Sequence, residues 1–332
     1  MRTVRAMGRR DLRLVEVPDP VPGPGEVTVA VLASGICGSD AWFWDVAEPT
    51  DTVAGHEVAG VVVALGPGTS RLRRGDRVAV NNVRGCGTCT SCLEGDFVRC
   101  ADGIVHMGHG FSELVAVPER NCLPLADGIG FEAGCLLFDT WGTPFAALEK
   151  AGAAAGDTIA VLGCGPIGLA AVSLATLRGA RAIGVDPLAV RRDAARRAGA
   201  VAAVDPGADA AARLLDLTGG AGVDVALECS AQAAAYHLAL AALRIGGTLV
   251  TLGEGAVVEL RPSEALIPRQ LRILGSLYTS MPQGARVQQL VSGRHVDALA
   301  FTTHRFSLAE LPSTFGAVVE HRDGVLKALV LP

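Results

Sequence analysis

Lysine and aromatic residues are scarce in this chain of 332 residues. Lysine occurs only at positions 150 and 327, against 27 arginines, and Phe, Trp and Tyr together make up 4% of the chain. The preference for arginine, with abundant alanine, indicates a GC-rich genome rather than a function. The formal net charge of −5 gives no reason to expect nucleic acid or an anionic membrane as a partner.

Long apolar runs are also missing. None approaches the roughly 20 residues that a membrane-spanning helix needs, and the N-terminal stretch MRTVRAMGRRDLRLVEVPDP lacks the continuous apolar segment of a signal peptide. We therefore expect a cytoplasmic protein that binds neither a membrane nor nucleic acid. Thiols stay reduced in that compartment, so the nine cysteines are not expected to form a disulfide framework.

The length suggests about two domains, and the sequence pattern changes along the chain. Up to about residue 125, short apolar runs such as EVTVAVLASGICG are separated by Gly, Pro and Asp, which predicts a β-rich region. From about residue 155, apolar strands alternate with helical patterns. This alternation predicts βαβ units and a doubly wound parallel sheet, so the fold class is α/β.

A glycine motif opens the second region. The stretch AVLGCGPIGLAAV places Gly163, Gly165 and Gly168 as G-x-G-x-x-G between a buried strand and a helix. The glycines would permit a tight turn, a close approach to a pyrophosphate, and packing of helix on strand. Pro166 and Ile167 would form the first helical turn, where free N–H groups favour an anion. The alternative is a tight strand–helix turn that binds nothing.

The next predicted strand ends at Asp186. A carboxylate there can accept hydrogen bonds from the adenosine ribose and would repel a 2′-phosphate, which predicts NAD rather than NADP. Arg191 is close in sequence. It either helps to hold the ribose or lies on a solvated helix face, and it leaves some room for NADP.

Four cysteines lie within the stretch GCGTCTSCLEGDFVRC. Cys86, Cys89, Cys92 and Cys100 could supply four thiolates at tetrahedral positions around zinc. A closed shell of four protein ligands leaves no open position for a substrate, so the predicted site is structural. Iron–sulfur ligation is the alternative, since such clusters also use closely spaced cysteines.

A second constellation is scattered along the chain. Cys37, His56 and Asp139 together have the composition of a catalytic zinc site, with one thiolate, one imidazole, one carboxylate and an open fourth position. Each also has an ordinary structural explanation when taken alone. Cys37 could be a small buried hydrophobic residue, His56 a histidine in a turn, and Asp139 a helix cap.

Taken together, the motifs resemble the zinc-dependent medium-chain alcohol dehydrogenase family. GICGSD, GHEVAGVV, GDRV, the four-cysteine stretch, GFSELVAVP, VLGCGPIGLAA and GVD follow the family's order. The resemblance implies a GroES-like, β-rich catalytic domain from residues 1–125 and 281–332, with an NAD-binding Rossmann domain at 126–280. It also implies an active site in the cleft between the domains, two zinc ions per chain, NAD, an alcohol substrate, and a homodimer or homotetramer.

The resemblance also implies roles for individual residues. Cys37, His56 and Asp139 become the catalytic zinc ligands. Glu57 matches a glutamate that lies close to the zinc and can replace a ligand during turnover. The alternative is an acid that only lies behind the ligands, or one that is solvated. Asp40 matches the carboxylate that orients the zinc-bound histidine.

Two further positions match hydroxyl groups of the family, and one position departs from it. Ser39 matches the hydroxyl that accepts the substrate proton, and Thr143 matches a hydroxyl beside the nicotinamide. Where many members carry a histidine that relays the proton, this chain has Trp42. Trp42, Phe43 and Trp44 would either shape the substrate pocket or pack in the core.

The predicted reaction is reversible hydride transfer between NAD and a secondary alcohol, polyol or cyclitol. Dehydrogenation of an amino alcohol such as threonine is the alternative substrate class. Three other functions stay open on the sequence: a zinc-free enone or quinone reductase of the same fold, a zinc-ribbon module that contacts nucleic acid, and an NAD sensor without turnover.

Overall fold

The computed structural model describes residues 1–322 and 324–332. These residues form two compact units: Met1–Gly142 with Thr279–Pro332, and Thr143–Tyr278. The predicted fold class, a β-rich region combined with a parallel α/β sheet, is confirmed. Within the two described ranges, no helix has both the length and the apolar character needed to cross a membrane.

Consecutive strands dominate the first part of the chain, and strands alternate with helices over residues 158–251. The strands are β1 (Arg2–Ala6), β2 (Leu12–Glu16), β3 (Glu26–Ile36), β4 (Glu57–Leu65), β5 (Arg77–Asn81), β6 (Val83–Arg84), β7 (Val105–His106), β8 (Leu114–Pro118), β9 (Cys122–Pro124), β10 (Thr158–Leu162), β11 (Arg181–Val185), β12 (Ala202–Val204), β13 (Val223–Glu228), β14 (Leu243–Thr251), β15 (Arg272–Gly275), β16 (Thr302–Ser307) and β17 (Lys327–Leu331). The helices are α1 (Ala41–Asp45), α2 (Thr90–Leu93), α3 (Phe131–Cys135), α4 (Gly142–Ala151), α5 (Pro166–Leu177), α6 (Ala189–Arg197), α7 (Ala210–Asp216), α8 (Ala233–Ala242), α9 (Pro262–Ala265), α10 (Met281–Ser292) and α11 (Leu311–Val319).

The first unit contains a seven-stranded sheet in the order β16-β17-β3-β4-β5-β9, with β8 also paired to β3. The register sets Gly35 of β3 opposite Glu57 of β4, and Ile36 opposite Ala328 of β17. The last residues of β3, the first of β4 and the first of β17 therefore meet at one place. Valine side chains from β3, β4, β5 and β8 form the adjoining core.

Residues 126–142 pack within the first unit, although the predicted nucleotide-binding domain began at 126. The reason is that α3 lies against β3, β4 and β5. The segment that follows α3 and carries Asp139 is thereby part of the same unit as Cys37 and His56. The functional assignment of the two domains stays a prediction.

The aromatic cluster near the N-terminus is divided between the core and the surface. Phe43 is fully buried and packs against Phe111 and Phe315, and Trp44 also contacts Phe315. Trp42 is 47% exposed. Core packing therefore accounts for Phe43 and Trp44, whereas Trp42 offers an indole ring at the surface.

The second unit is a six-stranded sheet with the order β12-β11-β10-β13-β14-β15, and all of its pairings are parallel. This is the strand order of a Rossmann fold, in which the direction of winding reverses between β10 and β13. Ligands of such sheets bind at the carboxyl ends of the strands beside that reversal. The glycine motif follows β10, so it lies at this position.

Candidate active site

Three side chains from separate parts of the first unit converge on one point. Cys37 directly follows β3, His56 directly precedes β4, and Asp139 follows α3. One potential ligand atom from each residue lies within 4.8 Å of the other two, and His56 Nε2 is 3.1 Å from Asp139 Oδ2. A thiol, an imidazole and a carboxylate at this spacing are a suitable donor set for zinc with an open fourth position.

The carboxylate of Asp40 contacts the ring nitrogen of His56 that faces away from Asp139. Its Oδ1 lies 3.1 Å from His56 Nδ1 and also accepts the Gly55 N–H at 3.3 Å. Its Oδ2 accepts the N–H of Cys37 at 2.9 Å. A carboxylate on Nδ1 favours the tautomer that leaves the Nε2 lone pair free for a metal. Asp40 thus orients one ligand and fixes the backbone of another.

The electrostatics of this cluster favour a bound cation. Burial, reinforced by the charge of Asp139, raises the pKa of the Cys37 thiol. Burial opposes a charge on His56, but the Asp40 and Asp139 carboxylates outweigh it and raise the pKa of His56 well above its ordinary value. Burial also acts against the charge of Asp139, yet the hydrogen bond from His56 lowers the pKa of that carboxyl. A divalent metal would take the place of the protons that this acidic site otherwise retains.

Glu57 lies in a buried polar network beside the cluster. Its Oε1 accepts the hydroxyl of Thr140 at 2.7 Å, and its Oε2 is 2.6 Å from the Lys327 ammonium. Lys327 also donates to the carbonyl of Ile36 at 2.9 Å. A Cβ at Gly35 would come within 1.6 Å of Glu57 Oε2, so the carboxylate requires glycine at that position. Burial raises the pKa of Glu57 to about 7 against the influence of Lys327, whose own pKa is raised to about 12 by Glu57 despite burial.

The four closely spaced cysteines form a second cluster, in a segment of residues 85–100 that is called the lobe. A sulfur from each of Cys86, Cys89, Cys92 and Cys100 lies within 4.8 Å of the others, and Cys86 Sγ is 3.9 Å from Cys92 Sγ. Tetrahedral zinc with Zn–S bonds of about 2.3 Å separates its sulfurs by about 3.8 Å. A Cβ at Gly85 would lie 2.4 Å from Cys92 Sγ, so this glycine makes room for the cluster.

Backbone N–H groups point at the sulfurs of the lobe. Cys86 Sγ accepts from the N–H groups of Thr88 and Cys89 at 3.4 Å each, and Cys100 Sγ accepts from Cys86 N–H at 3.2 Å. Hydrogen bonds from Thr88 and Cys89 lower the pKa of Cys86 to about 6, whereas burial raises that of Cys92 to about 12. Donors arranged in this way stabilise thiolates, the form that binds metal.

The second unit presents the predicted nucleotide loop. Gly163 has φ +94°, a conformation that favours glycine, and a Cβ at Gly168 would lie 1.9 Å from the carbonyl oxygen of Gly163. A Cβ at Gly165 would meet nothing within 4 Å, so the backbone is open there to a ligand. Pro166 and Ile167 begin α5. The loop therefore fits a pyrophosphate at a helix N-terminus.

Asp186 directly follows β11 in this unit and is buried. Its Oδ2 accepts the N–H of Cys164 at 2.8 Å, and its Oδ1 accepts that of Leu188 at 2.9 Å. Arg191 Nη1 lies 3.8 Å from Asp186 Oδ2. The structure thus brings together the glycine loop, the acid and the arginine that the sequence predicted.

Comparison with known proteins matches both units. Residues 23–127 match the alcohol dehydrogenase GroES-like domain, and residues 166–292 match the zinc-binding dehydrogenase domain. The chain is 32% identical to the zinc-type alcohol dehydrogenase-like protein YphC of Escherichia coli K12, with 96% of this chain and 95% of YphC covered. The chain belongs to the zinc-dependent medium-chain dehydrogenase family.

Other members of the family act on different alcohols. This dehydrogenase is 31% identical to L-galactonate-5-dehydrogenase of Escherichia coli K12, over 94% of its own length and 93% of the relative. It is 34% identical to L-threonine 3-dehydrogenase of Pyrococcus furiosus, over 72% of each chain. A solved zinc-binding dehydrogenase of Sinorhizobium meliloti 1021, bound to NADP, superposes with a TM-score of 0.87 at 30% identity, covering 100% of this chain and 99% of that one.

Several predictions are confirmed by these matches. The protein is an oxidoreductase that acts on CH–OH groups, with zinc and NAD(P) as its cofactors.

The roles of individual residues stay predictions. Ser39 is exposed in the turn Gly38–Asp40, next to Cys37 and Asp40. Thr143 is buried in the first turn of α4 and belongs to the second unit.

Two residues beside the site, Thr140 and Lys327, were not predicted from the sequence. Thr140 gave no signal, since a single threonine after an aspartate is common. Lys327 did give one: it is one of two lysines in the chain, and it stands in the apolar stretch GVLKALVLP. A charged residue within an apolar strand is rarely buried unless it is paired, which predicts a buried acidic partner.

Proposed function

We propose that this dehydrogenase oxidises secondary alcohols of the polyol or cyclitol type reversibly with NAD. The observation that carries the proposal is the convergence of Cys37, His56 and Asp139, whose ligand atoms lie within 4.8 Å of one another. Cys37, His56 and Asp139 would hold the catalytic zinc, and the four lobe cysteines would hold the structural zinc.

The charges of the proposed ligands suit the reaction. Zinc, when bound, supplies Lewis acidity that lowers the pKa of a substrate hydroxyl. Cys37 and Asp139 as anions and His56 as a neutral ligand balance the two positive charges of the ion. The ion and its three ligands would then carry almost no net charge before a substrate loses its proton.

Ser39 would accept the proton of the substrate hydroxyl at its Oγ. The hydroxyl lies in the turn that joins Cys37 to Asp40, and it is exposed. Trp42 has no titratable group to replace the histidine relay of other members. Because Ser39 is exposed, its own hydroxyl proton can pass to water as its Oγ takes up the proton of the substrate, without that relay.

The cofactor would be held by the second unit. NAD(P) supplies the hydride acceptor for the carbinol carbon. The loop of Gly163, Gly165 and Gly168, with Pro166 and Ile167, would bind the pyrophosphate, and Thr143 would contact the nicotinamide.

Asp186 supports NAD as the preferred form. Its carboxylate is held between two backbone N–H groups, and it would repel a 2′-phosphate. Arg191 could offset part of that repulsion, and a relative of 30% identity binds NADP. We expect a higher kcat/KM with NAD than with NADP. Asp186→Ser should lower the ratio of these two kcat/KM values.

The substrate class is supported by the donor set and by the relatives. A carboxylate ligand together with Glu57 is the pattern that favours a polyhydroxylated or secondary alcohol, and L-galactonate-5-dehydrogenase acts on such a compound. The second candidate is an amino alcohol, because L-threonine 3-dehydrogenase is 34% identical.

A substrate panel tests this proposal. The zinc-loaded protein is assayed for reduction of NAD and NADP with simple secondary alcohols, polyols, cyclitols, sugar acids and L-threonine, and Asp139→Asn serves as the control. The highest kcat/KM should belong to a polyol or cyclitol. Preference for L-threonine would favour the second candidate, and activity on none of these alcohols would refute the proposal.

The cellular location and the assembly are also proposals. We propose a cytoplasmic homodimer or homotetramer. The edge position of β15 in the six-stranded sheet supports assembly, because an edge strand can pair with a second copy. Light scattering during size-exclusion chromatography would determine the number of subunits.

A further inference from the structure

We propose that Lys327 is a positioning residue for the catalytic metal, and that it acts through Glu57. The proposal rests on the assignment of Cys37, His56 and Asp139 as the zinc ligands. It concerns how the chain holds these three ligands together, and its test reads metal binding rather than turnover.

One network of two hydrogen bonds and one ion pair connects the neighbours of all three ligands. Glu57 accepts from Thr140 at one oxygen and contacts Lys327 at the other, and Lys327 donates to the carbonyl of Ile36. The members of this network adjoin the ligands in the chain: Ile36 precedes Cys37, Glu57 follows His56, and Thr140 follows Asp139. A displacement of any one ligand therefore strains the same network.

Of the residues in this network, Lys327 is the one that lies far from the others in the sequence. It is the first residue of β17, whose pairing sets Ala328 opposite Ile36. The lysine thereby joins the end of β3, which leads to Cys37, to the start of β4, which follows His56. Without the ammonium group, these two strand ends keep their backbone pairing but lose the contact that spans them.

The Lys327–Glu57 pair is also well isolated from water. Their side chains are 2% and 0% exposed, and the Glu57 carboxylate fills the space that glycine leaves at position 35. Removing one partner of such a pair leaves a buried charge without compensation, whereas removing both leaves neutral groups that can pack. This asymmetry makes the role of the pair measurable.

The composition supports a specific requirement for lysine. The chain uses arginine at 27 of its 29 strongly basic positions, yet it has lysine at this buried one. An ammonium group is compact and satisfies its donors on a few nearby acceptors, whereas a guanidinium carries five donors in a fixed plane. A buried space bounded by Glu57 and the carbonyl of Ile36 suits the smaller group.

The test compares Lys327→Met with Lys150→Met in the full-length protein. Zinc is titrated with a competing chelator, and the catalytic site is then loaded with cobalt so that the thiolate-to-cobalt absorption of Cys37 reports ligand geometry. Lys327→Met should lower the zinc affinity of the proposed catalytic site by about 10- to 100-fold and change the cobalt spectrum. The zinc of the lobe should stay bound. Lys150 donates to Gly275 at the surface of the second unit, so its variant should match the wild type in both measurements.

A double variant separates positioning from a general loss of stability. Glu57→Gln combined with Lys327→Met removes both charges, so zinc affinity and the cobalt spectrum should return toward those of the wild type. Unchanged zinc affinity and spectrum in Lys327→Met would overturn the proposal, as would a double variant no better than the single one. If Lys327→Met does not fold, Thr140→Val supplies the test, with an expected several-fold loss at the same site and no loss overturning the proposal.

These outcomes are distinct from those that test the proposed function. A wild-type protein that binds two zinc ions but oxidises no alcohol refutes the function and leaves the positioning role intact. An active wild type whose Lys327→Met variant keeps its catalytic metal refutes only the positioning role.

Discussion

The two candidate metal clusters of the first unit are built in opposite ways. The four lobe cysteines lie within residues 85–100, and their sulfurs accept hydrogen bonds from neighbouring backbone N–H groups. The proposed catalytic cluster takes its side chains from the end of β3, the start of β4 and the segment after α3. A local cluster can thus be formed by one loop, whereas a dispersed cluster depends on strand register.

The clusters also differ in the groups that support them. Neutral backbone and hydroxyl donors contact the sulfurs of Cys86 and Cys100 in the lobe. The proposed catalytic cluster is supported instead by buried charged side chains: Asp40 contacts His56, and Lys327 contacts Glu57. Changes at the lobe should therefore act mainly on stability, and changes at the catalytic cluster mainly on metal binding and turnover.

The largest effect on turnover is expected from the proposed ligands of the catalytic zinc. Cys37→Ser and Asp139→Asn should each lower kcat/KM by about 10³-fold or more, because the Lewis acid contributes several kcal/mol to catalysis. Zinc content should fall from about two ions per chain to about one, with the midpoint of thermal unfolding little changed. If both variants kept full activity and both zinc ions, the assignment of these ligands would be wrong.

Replacing a lobe cysteine should lower stability more than turnover, which is the opposite of the pattern expected for Cys37 and Asp139. Cys92→Ser should lower the unfolding midpoint by several degrees, since the loss of a structural metal is among the strongly destabilising changes. The molecules that stay folded should keep their catalytic zinc and most of their kcat. Differential scanning calorimetry, with zinc analysis of the soluble fraction, measures both. A Cys92→Ser protein of unchanged stability with a full lobe zinc would remove the distinction between the two sites.

Asp40→Asn tests the support behind His56. The amide keeps the shape of Asp40 but not its charge, so the imidazole becomes a weaker ligand. Zinc affinity at the catalytic site should fall by about 10- to 100-fold, and chelator competition at constant pH measures the change. The lobe is the internal control, and an equal loss of zinc from the lobe would indicate unfolding instead.

The pH dependence of zinc binding should reveal the charged surroundings of His56. In the zinc-free protein the pKa of His56 is well above its ordinary value, and only the neutral imidazole binds metal. Affinity is therefore full above this raised pKa and falls by about tenfold per pH unit below it for this proton alone. Asp40→Asn lowers the pKa of His56, so the decline should begin at a lower pH. Zinc titrations at several pH values measure this, and the prediction would be wrong if the affinity of the wild type and of Asp40→Asn began to fall at the same pH.

The same contrast explains which features the sequence could predict. The lobe and the glycine loop were predictable because ligand spacing along the chain largely sets their geometry. Cys37, His56 and Asp139 were predictable only through a family resemblance, since each alone has an ordinary structural explanation. The Lys327–Glu57 pair depends on the register between β17 and β3, which no local pattern encodes. The packing of α3, which assigns residues 126–142 to the first unit, is likewise a tertiary effect.

The smallest effect is expected from replacing one threonine by valine beside each cluster, Thr88 at the lobe and Thr140 at the proposed catalytic site. Thr88 donates its hydroxyl to Cys86 Sγ at 3.5 Å from an exposed position, and Thr140 donates to Glu57 at 2.7 Å from a buried one. Threonine to valine keeps the shape and removes the hydrogen bond. Thr88→Val should change lobe zinc affinity by less than about threefold, because water and the backbone N–H groups of Thr88 and Cys89 still serve the sulfur. Chelator competition on each variant compares the sites directly. If Thr88→Val weakened the lobe more than Thr140→Val weakened the catalytic site, local hydrogen bonds would matter more than the buried charge network, and the contrast between the two sites would fail.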